Sequence, residues 1–202
     1  LNKRGDHPKA VLLFTVCLHH FVGSNLDYIY SELEHRFPDI CFIRCYMDPI
    51  MQKHGLTPDQ KLRKAMYDPL PEGEPDERAV SVLGSDFALN ESSDIKRLLK
   101  RYGYTVRELP TCDTWQDLLD MNKGKVFLNI YPAGKYGMET QARRLNREHL
   151  YLPGSFDYEE IGQQLKQLTD ALGLPELTEA ELTREQKSCE SALAAAKDLL
   201  GD

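Results

Sequence analysis

The run Phe14-Thr-Val-Cys17-Leu-His-His-Phe-Val-Gly23-Ser-Asn25 holds the residue types best suited to chemistry. An apolar segment stops at a cysteine, a loop with two histidines and a glycine follows, and a helix then begins. A thiolate is a soft ligand for iron or zinc. A helix amino terminus beside it favours the charged form. The pattern puts Cys17 at the carboxyl end of a strand, where open α/β sheets hold their ligands. On position alone, a small buried hydrophobe is the better reading, since free cysteine is among the most buried residue types. Adjacent residues cannot easily turn both rings to one ion, so at most one of His19 and His20 is a candidate ligand or proton donor.

The other cysteines extend the question. Cys41 and Cys45 lie four apart in one strand and share a face. Cys45 is nearer the carboxyl end. Cys112 follows a later strand, so Cys17, Cys45 and Cys112 are expected along one edge. A zinc-dependent hydrolase built on Cys17, one histidine and Cys45 is one reading of that edge. No C-x-x-C spacing offers a self-contained zinc or cluster site. Cys189, on the last helix, is expected to pack. The loop Gly84 to Ser93 resembles a phosphate-binding loop in position only, because it lacks G-x-G-x-x-G and the P-loop lysine. Tyr131-Pro-Ala-Gly-Lys135 also follows a strand and could shape a pocket.

Short apolar runs alternating with amphipathic segments must position these residues. Ala10 to Val16 reads as a strand buried on both faces. A helix follows from about Asn25 to Phe37, with Ser24 and Asp27 as its capping pattern. Ile40 to Tyr46 is a second strand, and Asp48-Pro49 opens a loop. Thr57-Pro-Asp-Gln60 starts a helix that runs to about Tyr67. Asp68 to Asp76, with three prolines, a glycine and several acids, is the clearest linker. Beyond it, strands at 79–83, 104–109, 125–131 and 149–152 alternate with helices at 93–102, from Thr114, and at 137–147. Helices at 157–172 and 178–200 close the chain. The β-α repetition predicts a doubly wound α/β fold, with parallel strands flanked by helices and a C-terminal helix.

Of the 202 residues, 41% are hydrophobic and 28% charged, as in a globular protein with a real core. The net charge of −7 argues against nucleic acid or an anionic membrane as the main partner. Lys96-Arg97 and Lys100-Arg101 read as the solvated face of a helix. Five cysteines, an odd number without dense spacing, fit a reducing cytoplasm. The longest apolar stretch, Ala10 to Leu18, is too short to span a bilayer. The first residue is Leu rather than Met, so a piece of a longer polypeptide is expected.

The order of these motifs resembles the nitrogenase component 1 family. Phe14-Thr-Val-Cys17 followed by Phe21-Val-Gly23-Ser-Asn-Leu-Asp27 is similar to the family's strand, cysteine and aliphatic-glycine-acidic turn into a helix. Val80-Ser-Val-Leu-Gly84, Ile95 to Leu99, Tyr102-Gly-Tyr-Thr-Val106, the Thr111-Cys-Asp-Thr-Trp115 loop and the strand from Lys125 to Tyr131 look like its second Rossmann-like domain. The resemblance covers the chain to about Leu172. It implies three parts: 1–76 as a partial first Rossmann-like unit with its linker, 77–173 as a second Rossmann-like domain, and 174–202 as a C-terminal helix. It also implies an oxidoreductase subunit, itself inactive as a fragment, that receives electrons from an ATP-dependent iron protein through an iron-sulfur cluster. A homologous second subunit, or a second copy, would share that cluster. By this resemblance Cys17 becomes a cluster ligand and Gly23 part of the cluster-binding turn, which reverses the reading from position alone. The family's other cluster cysteines lie upstream of Leu1. Tyr131 stands where the catalytic molybdenum-iron subunit has its cofactor-ligating cysteine, and Pro132-Ala-Gly134 lacks the arginine expected there. A nitrogenase-like reductase subunit is therefore expected, with a non-enzymatic metallocluster-assembly scaffold or small-ligand-binding module as the alternative.

Overall fold

A computed structural model describes residues 7–47 and 55–200. Asp48 and Pro49, expected to open a loop, lie outside the described residues. The chain forms two compact units that meet in sequence at Pro153 and Gly154.

In the first unit, β1 (Ala10–Val16) and β2 (Cys41–Met47) pair in parallel, from Ala10 beside Cys41 to Val16 beside Met47. The short α1 (Leu18–Phe21) and α2 (Leu26–Arg36) connect them. The cap of α2 is Asn25, whose side chain accepts from Tyr28 N, and not the expected Ser24. The asparagine oxygen reaches an otherwise unpartnered first-turn amide. Tyr30 of α2 is fully buried, and its hydroxyl donates to Leu13 O at 3.2 Å. The Arg44 guanidinium lies 4.6 Å from the centre of its ring.

The expected two-sided burial of β1 is corrected. Leu12, Phe14 and Val16 are 41%, 51% and 46% exposed. Among the described residues β1 has a single strand neighbour, so its apolar run is longer than the cover available to it.

Next, α3 (Pro58–Tyr67) opens on a capping box between Thr57 and Gln60, with proline at its first position. Beyond the linker comes a four-stranded parallel sheet in the order β4-β3-β5-β6. Its strands are β3 (Asp76–Val82), β4 (Thr105–Glu108), β5 (Gly124–Asn129) and β6 (Glu148–Tyr151). Helices α4 (Asp94–Arg101), α5 (Trp115–Leu119) and α6 (Lys135–Leu145) connect them. Tyr67, Leu70, Leu83, Met121, Phe127 and Met138 form the core. The Pro-rich linker is held down: Arg144 donates to Leu70 O, Asn122 to Pro71 O and Arg147 to Gly73 O. The basic residues of α4 meet acids, with Lys96 on Glu91 and Glu108, Lys100 on Glu91, and Arg97 on Asp94.

The second unit holds α7 (Tyr158–Leu172) and α8 (Glu179–Leu200). Asp157 caps α7 by accepting from Glu159 N and Glu160 N, and Gly173 ends it at φ +62°. The two helices come close where a Cβ on Gly162 would stand 3.6 Å from Leu182 Cδ1. Cys189, expected to pack, is exposed together with Ala192, Leu193 and Ala196.

Candidate functional site

At the carboxyl end of β1 the backbone turns sharply. Cys17 is the residue before α1, and its carbonyl accepts from His20 N at 3.0 Å and Phe21 N at 3.4 Å. His19 Nδ1 lies 3.0 Å from Val16 O and 3.1 Å from Val16 N, which ties that ring to the strand end. Gly23 N donates to His20 O, and Ser24 N to His19 O at 2.8 Å. Gly23 sits at φ +65° with nothing within 4 Å of where a Cβ would stand. Glycine is needed there for the backbone angle, not for room. Cys17 is half-buried. Around it Leu18, Phe21 and Val22 are 63%, 71% and 67% exposed. A thiol on a tied-down loop, inside an exposed apolar rim, suits a ligand shared with a second protein surface.

The other thiols lie elsewhere. Cys45 pairs with Phe14, three residues before Cys17 and so roughly 10 Å short of the edge. It is fully buried, its Sγ donates to Ile43 O at 3.5 Å, and burial pushes its thiol pKa up. Cys112 packs beside the core of the second sheet and donates to Glu108 O at 3.4 Å, and burial raises its pKa too. Among the described residues no three His, Cys, Asp or Glu side chains gather to hold a metal. The expected common edge of Cys17, Cys45 and Cys112 is thus corrected, and the zinc-hydrolase reading loses its ligand set. Register fixes how deep Cys45 lies, and composition could not.

A second constellation lies where β3 and β5 end. Arg63, on α3, is 8% exposed. Its Nη1 donates to Gly84 O and to Asp86 Oδ1, both at 2.9 Å, and its Nη2 to Asp86 Oδ2 at 2.6 Å. Its Nε is 2.9 Å from Asp59 Oδ1, an ion pair not aligned as a hydrogen bond. The guanidinium stacks 4.7 Å from the centre of the Tyr131 ring. This pairing lowers the pKa of Asp86 and raises that of Arg63. Tyr67 accepts from Gly84 N at 2.9 Å, and burial pushes its hydroxyl pKa up to about 12. Gly84, at φ +85°, and Gly134 touch backbone to backbone beside Asn129, whose Nδ2 donates to Leu83 O at 2.7 Å. The Oδ1 of Asn129 is buried and has no hydrogen-bond partner among the described residues. The loop from Gly84 is tied at its far end, where buried Glu108 accepts from Leu89 N at 2.6 Å.

The family model for nitrogenase component 1 type oxidoreductases matches residues 3–202. The chain belongs to this family. Solved structures of nitrogenase Cp1 at pH 6.5 and at pH 5 superpose on it with TM-scores of 0.65 and 0.57, at 15% and 14% identity. Each match covers 94% of this chain and 38% of the other. At those identities the likeness is one of fold, and the chain spans well under half the length of these structures. No curated protein matches the sequence.

Nitrogenase component 1 type proteins bind metal clusters, so the residues present can be tested for one. A cluster takes several thiolates. At the β1 edge the described residues offer Cys17, and the ring of His19 is engaged by Val16. The fit is that of one ligand position rather than of a complete site. At the β3/β5 ends the side chains present are a guanidinium, two carboxylates paired to it, two phenols and the Asn129 amide, with no thiol among them. The sequence points to Tyr131 and to the Gly84 to Ser93 loop that holds Asp86, but not to Arg63 or Asn129. The one local signal was Asp59 four residues before Arg63 on a helix, which ordinarily reads as a surface pair.

Proposed function

We propose that this chain is part of a cytoplasmic nitrogenase-like reductase subunit, in which Cys17 supplies one thiolate to an iron-sulfur cluster held between subunits. Such a cluster, when bound, accepts and passes on low-potential electrons delivered by an ATP-dependent iron protein. The observation that carries the reading is the half-buried Cys17 at the end of β1, on a loop tied by its own backbone and ringed by exposed Leu18, Phe21 and Val22. The rim would seat a homologous subunit or a second copy, which brings further ligands and excludes water from the sulfur. Gly23, at positive φ, lets the chain turn between α1 and α2. His19 holds the strand end still through Val16.

The test uses the whole parent protein, purified without oxygen and oxidised. Pre-reduced iron protein and MgATP together should bleach its visible absorption, and neither alone should. A parent protein that carries iron but takes no electrons under these conditions would favour the cluster-assembly scaffold instead.

A further inference from the structure

The second sheet has one topological switch point. From β3 the chain moves to β4 on one side and then returns to β5 on the other, so the crevice position of such a sheet falls between the carboxyl ends of β3 and β5, where the backbones of Gly84 and Gly134 already touch. Open α/β sheets hold their ligands at such crevices. Here the protein's own Arg63 enters it from outside the sheet. The guanidinium lies between Gly84, two residues past β3, and Tyr131, two residues past β5.

We propose that this crevice is a self-occupied ligand site, in which Arg63 is the built-in occupant and the second sheet takes no cofactor of its own. The inference is independent of any role for Cys17.

Three features separate this arrangement from an ordinary ion pair. First, the partners converge from three segments: Asp59 on α3, Gly84 with Asp86 after β3, and Tyr131 after β5. A planar guanidinium serves a bidentate carboxylate, a carbonyl and a ring face at once, and an ammonium cannot. Second, α3 satisfies both peptide groups of Gly84, with Arg63 donating to its oxygen and Tyr67 accepting from its nitrogen. The turn that would greet a ligand has no backbone group left to offer at that residue. Third, the occupant cannot easily withdraw. A Cβ on Gly137 of α6 would stand 3.0 Å from Lys64 N and Cα, so the backbones of α3 and α6 are already in close contact.

The test is chemical replacement. In the Arg63→Ala variant the Tm should fall by about 5 °C or more. Millimolar methylguanidinium should restore part of that loss while leaving wild type unchanged. Methylammonium at the same concentration should restore nothing. Absence of rescue, or equal rescue by both cations, would overturn the proposal. Should Arg63→Ala fail to fold, wild type labelled with 15N-arginine decides. A buried, forked guanidinium gives separate, slowly rotating Nη–H signals that shift in Asp86→Asn, whereas one averaged signal for Arg63 would overturn it.

Discussion

Replacing Gly134 by alanine asks one methyl group to enter space already held by backbone. A Cβ there would stand 2.5 Å from Asn129 Nδ2, 2.5 Å from Gly84 O and 2.6 Å from Gly84 Cα. The backbone angles of Gly134, φ −80° and ψ −18°, suit alanine, so no dihedral cost enters. Asn129 cannot step aside without giving up its hydrogen bond to Leu83 O. Overpacking of this kind costs about 1–3 kcal/mol, and loss of the Asn129 bond adds about 1 kcal/mol. The stiffer unfolded chain returns about 0.4–1 kcal/mol. The net expectation is a loss of about 1–3 kcal/mol, or roughly 2–10 °C in Tm for a chain of this size. Trp115, the chain's one tryptophan, packs beside the core of the second sheet and reports its unfolding in urea and on heating. Gly154→Ala is the control, because its Cβ would meet nothing within 4 Å, and it should stay within about 0.5 kcal/mol of wild type. If Gly134→Ala unfolds at the wild-type midpoint, the close contact between the ends of β3 and β5 is not real.

Tyr67 makes stability fall in alkali. Its pKa is raised in the folded state to about 12, so its contribution is complete below the ordinary tyrosine value and is lost as pH rises towards 12. The stability difference between wild type and Tyr67→Phe should shrink by about 2–3 kcal/mol between pH 10 and pH 12, and a constant difference would refute it. Asp86 has the opposite sign, because Arg63 lowers its pKa. The destabilisation caused by Asp86→Asn should be full at neutral pH and disappear as acid protonates Asp86 below the usual carboxylate range, as acid titrations of both proteins would show. Glu108 is 2% exposed and paired with Lys96 at 2.8 Å. Lys96→Met should therefore cost about 3 kcal/mol in urea unfolding by stranding a buried carboxylate, and adding Glu108→Gln should recover much of that. Gly23→Ala should cost about 1 kcal/mol through its positive φ alone, and Gly23→Asn less.

The parts of this fold that could be read from sequence are those decided within a few residues. Strand and helix alternation, the capping boxes at Thr57 and Thr114, the caps at Ser93 and Asp157, and the glycine closing α7 are local bargains between a side chain and the nearest free amides or carbonyls. What escaped depends on distant partners. The apolar run of β1 promised two covered faces, but cover comes from other elements, and Leu12, Phe14 and Val16 lack it. Cys45 looked like an edge residue until register placed it beside Phe14. The proline-rich segment read as a linker because nothing in it announces Arg144 of α6 and Arg147 just past that helix, which pin it. Arg63 was invisible as part of a site because its partners Gly84 and Asp86 lie more than twenty residues away. Cys17 was legible for the opposite reason: strand, thiol, tight turn and helix follow one another directly.

Whether Cys17 ligates a cluster is decided by counting iron. The whole parent protein and its Cys17→Ser and Cys189→Ser variants would be purified anaerobically and assayed for iron, acid-labile sulfide and the EPR signal of the reduced cluster. Cys189 is an exposed thiol on α8 and controls for surface cysteine. Cys189→Ser should match wild type, while Cys17→Ser should lose iron or show an altered EPR signal. Wild type and Cys17→Ser with equal iron, equal sulfide and the same spectrum would contradict it.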